Sequence, residues 1–313
     1  MSQVSGLARF GLVLEPHEAA EPILSRPVRS ALLEWLTEIW AADELESVGL
    51  TTRRRAIFDG PPGVGKTTLA HHLAARLGLP MVAVRPERLV DSWVGSTARN
   101  IGALFDAATS TSEPILLFLD EFDAVAVQRG EARQGADHER NAWVNTLLQC
   151  IDRHPGFIIA ATNFGGRIDQ AIWRRFDVHM TLELPGQFER ERILSRYLAP
   201  YGVPKPALRV LADAFETASP ALIRQFCEGV KRQLVIGPKV GWDMSRTAVV
   251  ERLLAAVQPH PDLGKPRLWS HGAGDAAIKQ MPWPLPLAAD VSDDAASPPQ
   301  DDGIVLPFKG RAG

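Results

Sequence analysis

Short apolar runs alternate with segments of helical periodicity along most of the chain. In residues 28–40, apolar side chains recur every three or four positions, which is typical of an amphipathic helix. Five apolar runs follow, separated by helical or polar segments: RAIFD (55–59), PMVAVR (80–85), ILLFLD (115–120), GFIIAATN (156–163) and VHMTLEL (178–184). Near-continuous apolar strands with helices between them indicate a parallel sheet covered on both faces. The pattern therefore predicts an α/β fold.

The pattern changes along the chain in a way that predicts four segments. Residues 28–185 carry the alternating strands and helices, and residues 186–257 are helical throughout, which predicts a small all-α domain after the α/β domain. Residues 258–313 are rich in Pro, Gly, Ala and Asp. Such a composition buries little apolar surface, so this segment is predicted to be a flexible tail. Residues 1–27 show no sustained periodicity and are predicted to form an N-terminal arm.

Composition narrows the class of protein. Of the 313 residues, 45% are apolar, which is enough to fill a globular core. The formal net charge of −3 gives no electrostatic footprint for DNA or RNA, and Arg53–Arg55, the densest basic run, is typical of a solvated surface. The two cysteines, Cys150 and Cys227, lie in helical patterns and are expected to be reduced. Binding to a nucleic acid is therefore not expected.

The distribution of apolar residues also bears on localisation. The N-terminus lacks a charged leader followed by an apolar segment, and no segment approaches ~18 uninterrupted apolar residues. We therefore expect a soluble cytoplasmic protein that makes no contact with a membrane.

A glycine-rich stretch follows the first predicted strand. The sequence GPPGVGKTT matches the phosphate-loop pattern G-x-x-x-x-G-K-[ST] and opens a predicted helix, which is the context that this pattern requires. Backbone N–H groups of such a loop surround phosphate oxygens, Lys66 would reach the β- and γ-phosphates, and the Thr67 hydroxyl would bind Mg²⁺. The alternative is a Gly/Pro turn that binds nothing. The predicted nucleotide-binding residues are Gly60, Pro61, Pro62, Gly63, Val64, Gly65, Lys66, Thr67 and Thr68.

Polar residues end two later strands. Asp120 at the end of ILLFLD is predicted to lie on the metal side of the site, and Glu121 to polarise the attacking water. Asn163 ends GFIIAATN, at the sheet edge where ligands bind, and would orient the water or contact the γ-phosphate. Alternatively, the acidic residues merely close a strand at the surface, and the asparagine is a turn residue.

Two adjacent arginines, Arg174 and Arg175, end the predicted short helix in DQAIWRRFD. Neighbouring helical residues point about 100° apart, so the pair is poorly placed to serve one phosphate in its own chain. An arginine that reaches into the site of a neighbouring subunit explains the pair, and such a residue raises hydrolysis by roughly 10³–10⁵. The alternative is a solvated pair that caps the end of a helix.

Together, GPPGVGKT, LFLDEFD, AATN and AIWRRFD, in this order, closely resemble the AAA branch of the AAA+ ATPases. The resemblance covers about residues 28–257. It implies an α/β P-loop domain followed by a small helical lid, ATP and Mg²⁺ as cofactors, and a ring that is usually a hexamer. It also implies that Asn163 is the first sensor, and that Arg174 and Arg175 act on a neighbouring subunit's ATP.

The same resemblance gives a role to the stretch LVDSWVGSTARN. In these ATPases the loop after the second strand lines a central pore with an aromatic–hydrophobic–glycine tripeptide, and Trp93–Val94–Gly95 occupies that position. An indole offers a large apolar face that grips an extended peptide, and Gly95 lets the loop move. A tryptophan packed in the core is the alternative. ARQGADHERN (132–141) is either a second pore loop or a plain surface loop.

The sequence departs from the pattern of many AAA+ ATPases in two places, and its motifs do not identify the partner. Other branches place a lid arginine near the position of Leu222, whereas Arg224 lies two residues later, so its role at the phosphate is in doubt. The arm at 1–27 is shorter than a substrate-recruiting domain. The sequence resembles single-module bacterial proteins, some linked to partner proteases and some to remodelling HORMA-domain proteins in antiviral defence. Protein remodelling is the predicted function; the alternatives are an ATP-gated scaffold and a DNA-associated motor.

Overall fold

A computed structural model of the protein describes residues 6–90, 96–126, 135–270 and 273–290, and for 135–140 and 273–276 it describes the backbone. The chain forms two compact units. The first comprises residues 1–185 and 219–221, and the second comprises residues 186–218 and 222–313.

The first unit is built from strands and helices that alternate along the chain. Its strands are β1 (Gly11–Leu14), β2 (Arg55–Asp59), β3 (Met81–Val84), β4 (Leu116–Leu119), β5 (Phe157–Thr162) and β6 (Val178–Thr181). Its helices are α1 (Arg26–Trp40), α2 (Ala42–Ser47), α3 (Lys66–Arg76), α4 (Ser96–Thr109), α5 (Gly135–Arg153) and α6 (Gln170–Trp173). Strands β2 to β6 lie within the five apolar runs from which they were predicted.

The strands form one six-stranded sheet in the order β1-β3-β4-β5-β2-β6. Strands β2 to β6 pair in parallel, whereas β1 pairs antiparallel with β3 at one edge. The sheet is therefore mixed, and β1 lies within the segment predicted to be an N-terminal arm, where no strand was predicted. At the β1–β3 pairing a Cβ on Gly11 would lie 2.0 Å from the Ala83 carbonyl oxygen, so glycine permits this close approach.

Both faces of the sheet are buried under helices. On β2, Ile57 packs into one apolar cluster with α4 and α5, while Ala56 and Phe58 pack into a second cluster with α1 and α3. Successive side chains of a strand point to opposite faces, so the consecutive apolar residues 56–58 of β2 fit a sheet covered on both sides. This arrangement confirms the predicted α/β P-loop fold.

The second unit is helical. Its helices are α7 (Gln187–Leu198), α8 (Lys205–Ala214), α9 (Pro220–Ile236), α10 (Arg246–Ala256) and α11 (Ala273–Gln280). Phe215, Phe226 and Trp269 pack edge to face, with ring centroids 5.2–6.4 Å apart. Such aromatic contacts contribute both buried area and geometric specificity to a core.

The flexible tail predicted for residues 258–313 is wrong for residues 258–290. Trp269 is buried and its indole N–H donates to the Val257 carbonyl at 2.7 Å, and the Trp283 indole donates to the Met244 carbonyl at 2.7 Å. A few large apolar side chains with satisfied polar groups hold this Pro-rich segment against the helices, although its average composition is polar. Residues 291–313 lie outside the described part of the chain.

No helix within the described residues combines the length and the apolar character that crossing a membrane requires.

Candidate functional site

The carboxyl ends of three parallel strands bring polar residues to one edge of the sheet. Asp59 ends β2, Asp120 follows β4 and Asn163 follows β5. Ligands of open α/β sheets bind at this edge, where the loops that leave the strands diverge. The site predicted from separate segments of the sequence is therefore assembled by the strand order.

The loop between β2 and α3 has a backbone that favours glycine. Gly60, Gly63 and Gly65 have φ values of +150°, +77° and +101°, which L-residues with a side chain rarely adopt. A Cβ on Gly60 would lie 2.1 Å from the Leu182 carbonyl oxygen. The glycines thus allow both the turn of the loop and its close packing at the sheet edge, and the loop leads directly into the first turn of α3.

Lys66, the first residue of α3, points its amine back into this loop. Its Nζ donates to the carbonyl oxygens of Gly60 at 2.6 Å and Pro61 at 3.0 Å, and to Asn163 Oδ1 at 2.7 Å. Burial lowers the pKa of Lys66 from its ordinary value, against the opposing effect of Asp120 and other nearby carboxylates. The amine is therefore a desolvated charge held at the mouth of the loop, where phosphate oxygens would compete for its protons.

Thr67 and Asp120 meet beside the lysine. The Thr67 hydroxyl donates to Asp120 Oδ2 at 3.0 Å, and the backbone N–H of Glu121 donates to Asp120 Oδ1 at 2.9 Å. Hydroxyl and carboxylate oxygens are hard donors of the kind that Mg²⁺ prefers, so these residues fit that ion.

Glu121 has an unusual backbone. Its φ of 45° and ψ of 44° place it in the left-handed region, as the one non-glycine residue with positive φ among those described. For residues other than glycine this conformation costs free energy and tends to occur at functional sites. The side chain is exposed at the same sheet edge as Asp120.

Two further carboxylates, not singled out from the sequence, fix the segment after β5. Asp123 Oδ1 accepts from the Thr162 hydroxyl at 2.7 Å and from the Asn163 backbone N–H at 3.4 Å, and Asp59 Oδ1 accepts from the Gly165 N–H at 3.1 Å. They hold the turn that presents Asn163 to Lys66. The fourth residue of DEFD and the aspartate that ends RAIFD were the signals available in the sequence.

The arginine pair lies near the amino-terminal ends of the parallel strands, opposite to the carboxyl ends that carry the residues described above. Arg175 Nε donates to Asp152 Oδ2 at 3.0 Å, and the Asp152 backbone carbonyl accepts from Arg55, the first residue of β2. The phosphate loop leaves the other end of β2, and four residues of extended strand span about 13 Å. The structure therefore brings Lys66, Thr67, Asp120, Glu121 and Asn163 together and places Arg174 and Arg175 away from them.

Other predicted residues lie elsewhere. Trp93, Val94 and Gly95 fall within residues 91–95, outside the described part of the chain. Of the loop expected at 132–141, residues 135–141 form the start of α5, and 132–134 are not described. Arg224 lies on α9 in the second unit, where its Nε donates to Glu228 at 2.7 Å.

The sheet, the glycine loop that opens α3, and the Lys66, Thr67 and Asp120 arrangement are those of the P-loop nucleoside triphosphatase fold. The family model described as "ATPase family associated with various cellular activities (AAA)" matches residues 56–184. These residues match an AAA domain, which confirms the resemblance predicted from the sequence motifs.

Two relatives in sequence agree with this match. An uncharacterized AAA family ATPase, y4kL, of Sinorhizobium fredii is 42% identical over 175 residues, which cover 55% of this chain and 52% of that protein. The ATP-dependent zinc metalloprotease FtsH 1 of Symbiobacterium thermophilum is 34% identical over 174 residues, which cover 54% of this chain and 29% of that protein. The chain thus spans about half of the first relative and less than a third of the second.

The crystal structure of the FIGL-1 AAA domain matches the fold with a TM-score of 0.64, over 88% of this chain and 93% of that chain, at 19% identity. At this level of identity the match supports the fold alone.

Proposed function

We propose that the protein hydrolyses ATP at the interfaces of a homo-oligomeric ring, expected to be a hexamer, and uses this reaction to remodel a partner protein. The observation that carries the proposal is the set of direct hydrogen bonds that joins Lys66 to Asn163 and Thr67 to Asp120 at one sheet edge. These bonds assemble groups for the phosphates, the metal ion and the water in one place.

Each group has a distinct task in hydrolysis. The N–H groups of the glycine loop and the Lys66 amine bind the β- and γ-phosphates of ATP. Thr67 and Asp120 would hold Mg²⁺, which supplies positive charge against the phosphate oxygens. Asn163 orients the attacking water, and the Glu121 carboxylate accepts its proton as the water oxygen bonds to the γ-phosphorus and ADP leaves.

The position of the arginines supports a site that is shared between subunits. Arg174 and Arg175 lie at the edge of the sheet opposite to the phosphate loop of their own chain. A guanidinium supplied by another subunit neutralises charge in the transition state of phosphoryl transfer. Members of the AAA family typically form rings that act on proteins, which agrees with this arrangement.

The coupling to a substrate rests on the sequence of the pore tripeptide, Trp93–Val94–Gly95. We propose that Trp93 grips an extended polypeptide through its apolar indole face, and that ATP turnover moves it. The partner is a protein of the HORMA-domain class or a substrate passed to a protease. The competing proposal is an ATP-gated scaffold that recruits its partner without pulling on it.

The test is a substrate trap in the native cell. Glu121→Gln should lower the rate of ATP hydrolysis by about 100-fold or more while ATP binding persists, because the amide accepts no proton from water. Rings of this variant should capture a protein that mass spectrometry identifies. In the same background Trp93→Ala should abolish the capture, whereas Trp93→Phe, the matched control, should retain it.

Equal capture by the Trp93→Ala and Trp93→Phe rings would favour the scaffold. Normal hydrolysis by Glu121→Gln would show that another group activates the water.

A further inference from the structure

One carboxylate, that of Asp152, holds the second arginine of the pair. Arg175 Nε donates to Asp152 Oδ2 at 3.0 Å and lies 2.9 Å from Oδ1, so both carboxylate oxygens lie beside the guanidinium. A second guanidinium, that of Arg55, has its Nη1 3.8 Å from Asp152 Oδ1 and donates from Nη2 to the Asp152 backbone carbonyl at 3.0 Å. Asp152 therefore ties the end of α5 to both β2 and the segment after α6.

The first arginine of the pair is placed differently. Arg174 caps the carboxyl end of α6 with φ −70° and ψ −9°, its side chain is exposed, and it forms no ion pair with any residue in the described part of the chain. Phe176, two residues further along the chain, is buried and packs edge to face on Phe122, with centroids 5.7 Å apart. The backbone on one side of Arg174 is thus fixed by packing, and Arg175 is fixed by Asp152.

The residue before the pair is held as well. His179 on β6 stacks on the Trp173 indole with ring centroids 4.5 Å apart, and its Nε2 lies 3.2 Å from the Trp173 carbonyl oxygen. The residues on both sides of Arg174 are therefore held by packing and hydrogen bonds, whereas the Arg174 side chain is exposed.

We infer that Asp152 is a positioning residue for the reaction of the adjacent subunit: by binding Arg175 within its own chain, it fixes the turn from which Arg174 reaches the neighbouring ATP. The inference rests on the proposed function and refines it. The two arginines have different tasks, since Arg174 contacts the neighbour's γ-phosphate and Arg175 sets its direction. Asp152 has no task in the site of its own chain, because it lies at the opposite end of β2 from the phosphate loop.

The charges support this division. Without Asp152, the guanidinium groups of Arg55 and Arg175 would lose the carboxylate that now lies beside both of them. The side chains of Arg175 and Asp152 are 42% and 43% exposed, so water screens their ion pair. Removing this pair should therefore have a modest effect on the orientation of the turn. We expect Asp152→Ala to lower kcat by about fivefold, and Arg174→Ala by about 100-fold or more.

Mixing subunits tests the inference, because the defect should appear in the neighbour's site. Asp152→Ala subunits keep Glu121 but donate a misdirected arginine, whereas Glu121→Gln subunits are inactive but donate an intact one. In mixed rings, the sites of Asp152→Ala subunits that adjoin Glu121→Gln subunits should recover the wild-type kcat per active site, with KM for ATP unchanged. Asp152→Asn, which keeps an oxygen acceptor for Arg175, should lose less activity than Asp152→Ala.

Arg54→Gln is the matched control. Arg54 is adjacent to Arg55 and donates to the Pro155 carbonyl at 2.7 Å, in the same turn after α5, without bonding Asp152 or Arg175. This variant should retain kcat. The double variant Asp152→Ala/Arg175→Ala should lose no more than the larger single loss, because both changes remove one interaction.

Two results would overturn the inference: full activity of Asp152→Ala alone, or mixed rings in which its sites stay as slow as in the homogeneous variant. The second result would mean that Asp152 supports its own site. Full activity of Arg174→Ala would likewise overturn the inference, whereas the proposed function fails separately, if the Arg174→Ala/Arg175→Ala double variant hydrolyses ATP at the wild-type rate.

Discussion

At the scale of single residues, the chemistry of the site follows from residue type and spacing, whereas its support does not. Lys66 and Thr67 could be named from the sequence because they occupy fixed places in the phosphate-loop pattern, and Asp120 and Asn163 because each ends an apolar run predicted to be a strand. Asp123, which fixes Asn163, could not be assigned in this way. An aspartate after a strand has many uses, and only the fold shows that it accepts from Thr162.

The conformation of the phosphate loop yields a prediction about stability. Gly60→Ala should lower the free energy of unfolding by about 3 kcal/mol, because the backbone has φ +150° and the new Cβ would lie 2.1 Å from a carbonyl oxygen. Gly65→Ala is the matched control: its φ is +101°, but nothing lies within 4 Å of the new Cβ.

Gly65→Ala should therefore cost only about 1–2 kcal/mol, the cost of the backbone conformation alone. Urea unfolding of both variants measures the difference. Equal losses would show that the contact with Leu182 is relieved by a small shift of the chain.

At the scale of elements, strong apolar patterns were sufficient and short or mixed ones were not. Five buried parallel strands were predicted because each is a continuous apolar run between polar segments. Strand β1 was missed, since its four residues GLVL include a glycine and an exposed leucine and it lies at the sheet edge. The segment 258–290 was misjudged because a few buried side chains, such as Trp269, outweigh its composition.

The turn between α5 and β5 contains a buried titratable group. His154 is 5% exposed, its Nδ1 lies 3.3 Å from the Thr109 hydroxyl, and its Nε2 has no hydrogen-bond partner in the described structure. Burial, with a smaller effect of Arg55, lowers the pKa of His154 from 6.5 to about 4. Between pH 6.5 and about 4, the imidazole is therefore mostly neutral in the folded chain and mostly protonated in the unfolded chain.

This shift predicts how stability depends on pH. Between pH 6.5 and about 4, the unfolded chain binds a proton at His154 that the folded chain does not, so stability falls as the pH falls. From pH 7 to pH 5 the contribution of His154 amounts to about 2 kcal/mol, and this loss should be absent in His154→Asn.

The measurement is the free energy of unfolding at both pH values, for the wild type and each variant. His17→Asn is the control, since His17 is exposed and its replacement should leave the pH dependence unchanged. An identical pH dependence in wild type and His154→Asn would contradict the assignment.

At the scale of the whole molecule, the separation between the phosphate loop and the arginine pair is the feature that supports a site shared between subunits. The phosphate loop and the arginine pair lie at opposite ends of β2, about 13 Å apart along the strand. The sequence predicted both groups and their separation in function, from the angle between neighbouring helical residues. It did not predict that Asp152 holds Arg175, because this contact joins segments 23 residues apart whose relative placement depends on the sheet.

The central claim is that each catalytic site requires a second copy of the chain. It is tested most directly by ATP hydrolysis per subunit across a dilution series, with the mass of the assembly followed in the same samples. The account predicts that activity falls by about 100-fold or more as assemblies dissociate, and that Arg174→Ala assemblies of full size are equally slow. A dilute monomer that hydrolyses ATP at the full rate, with or without Arg174, would contradict it.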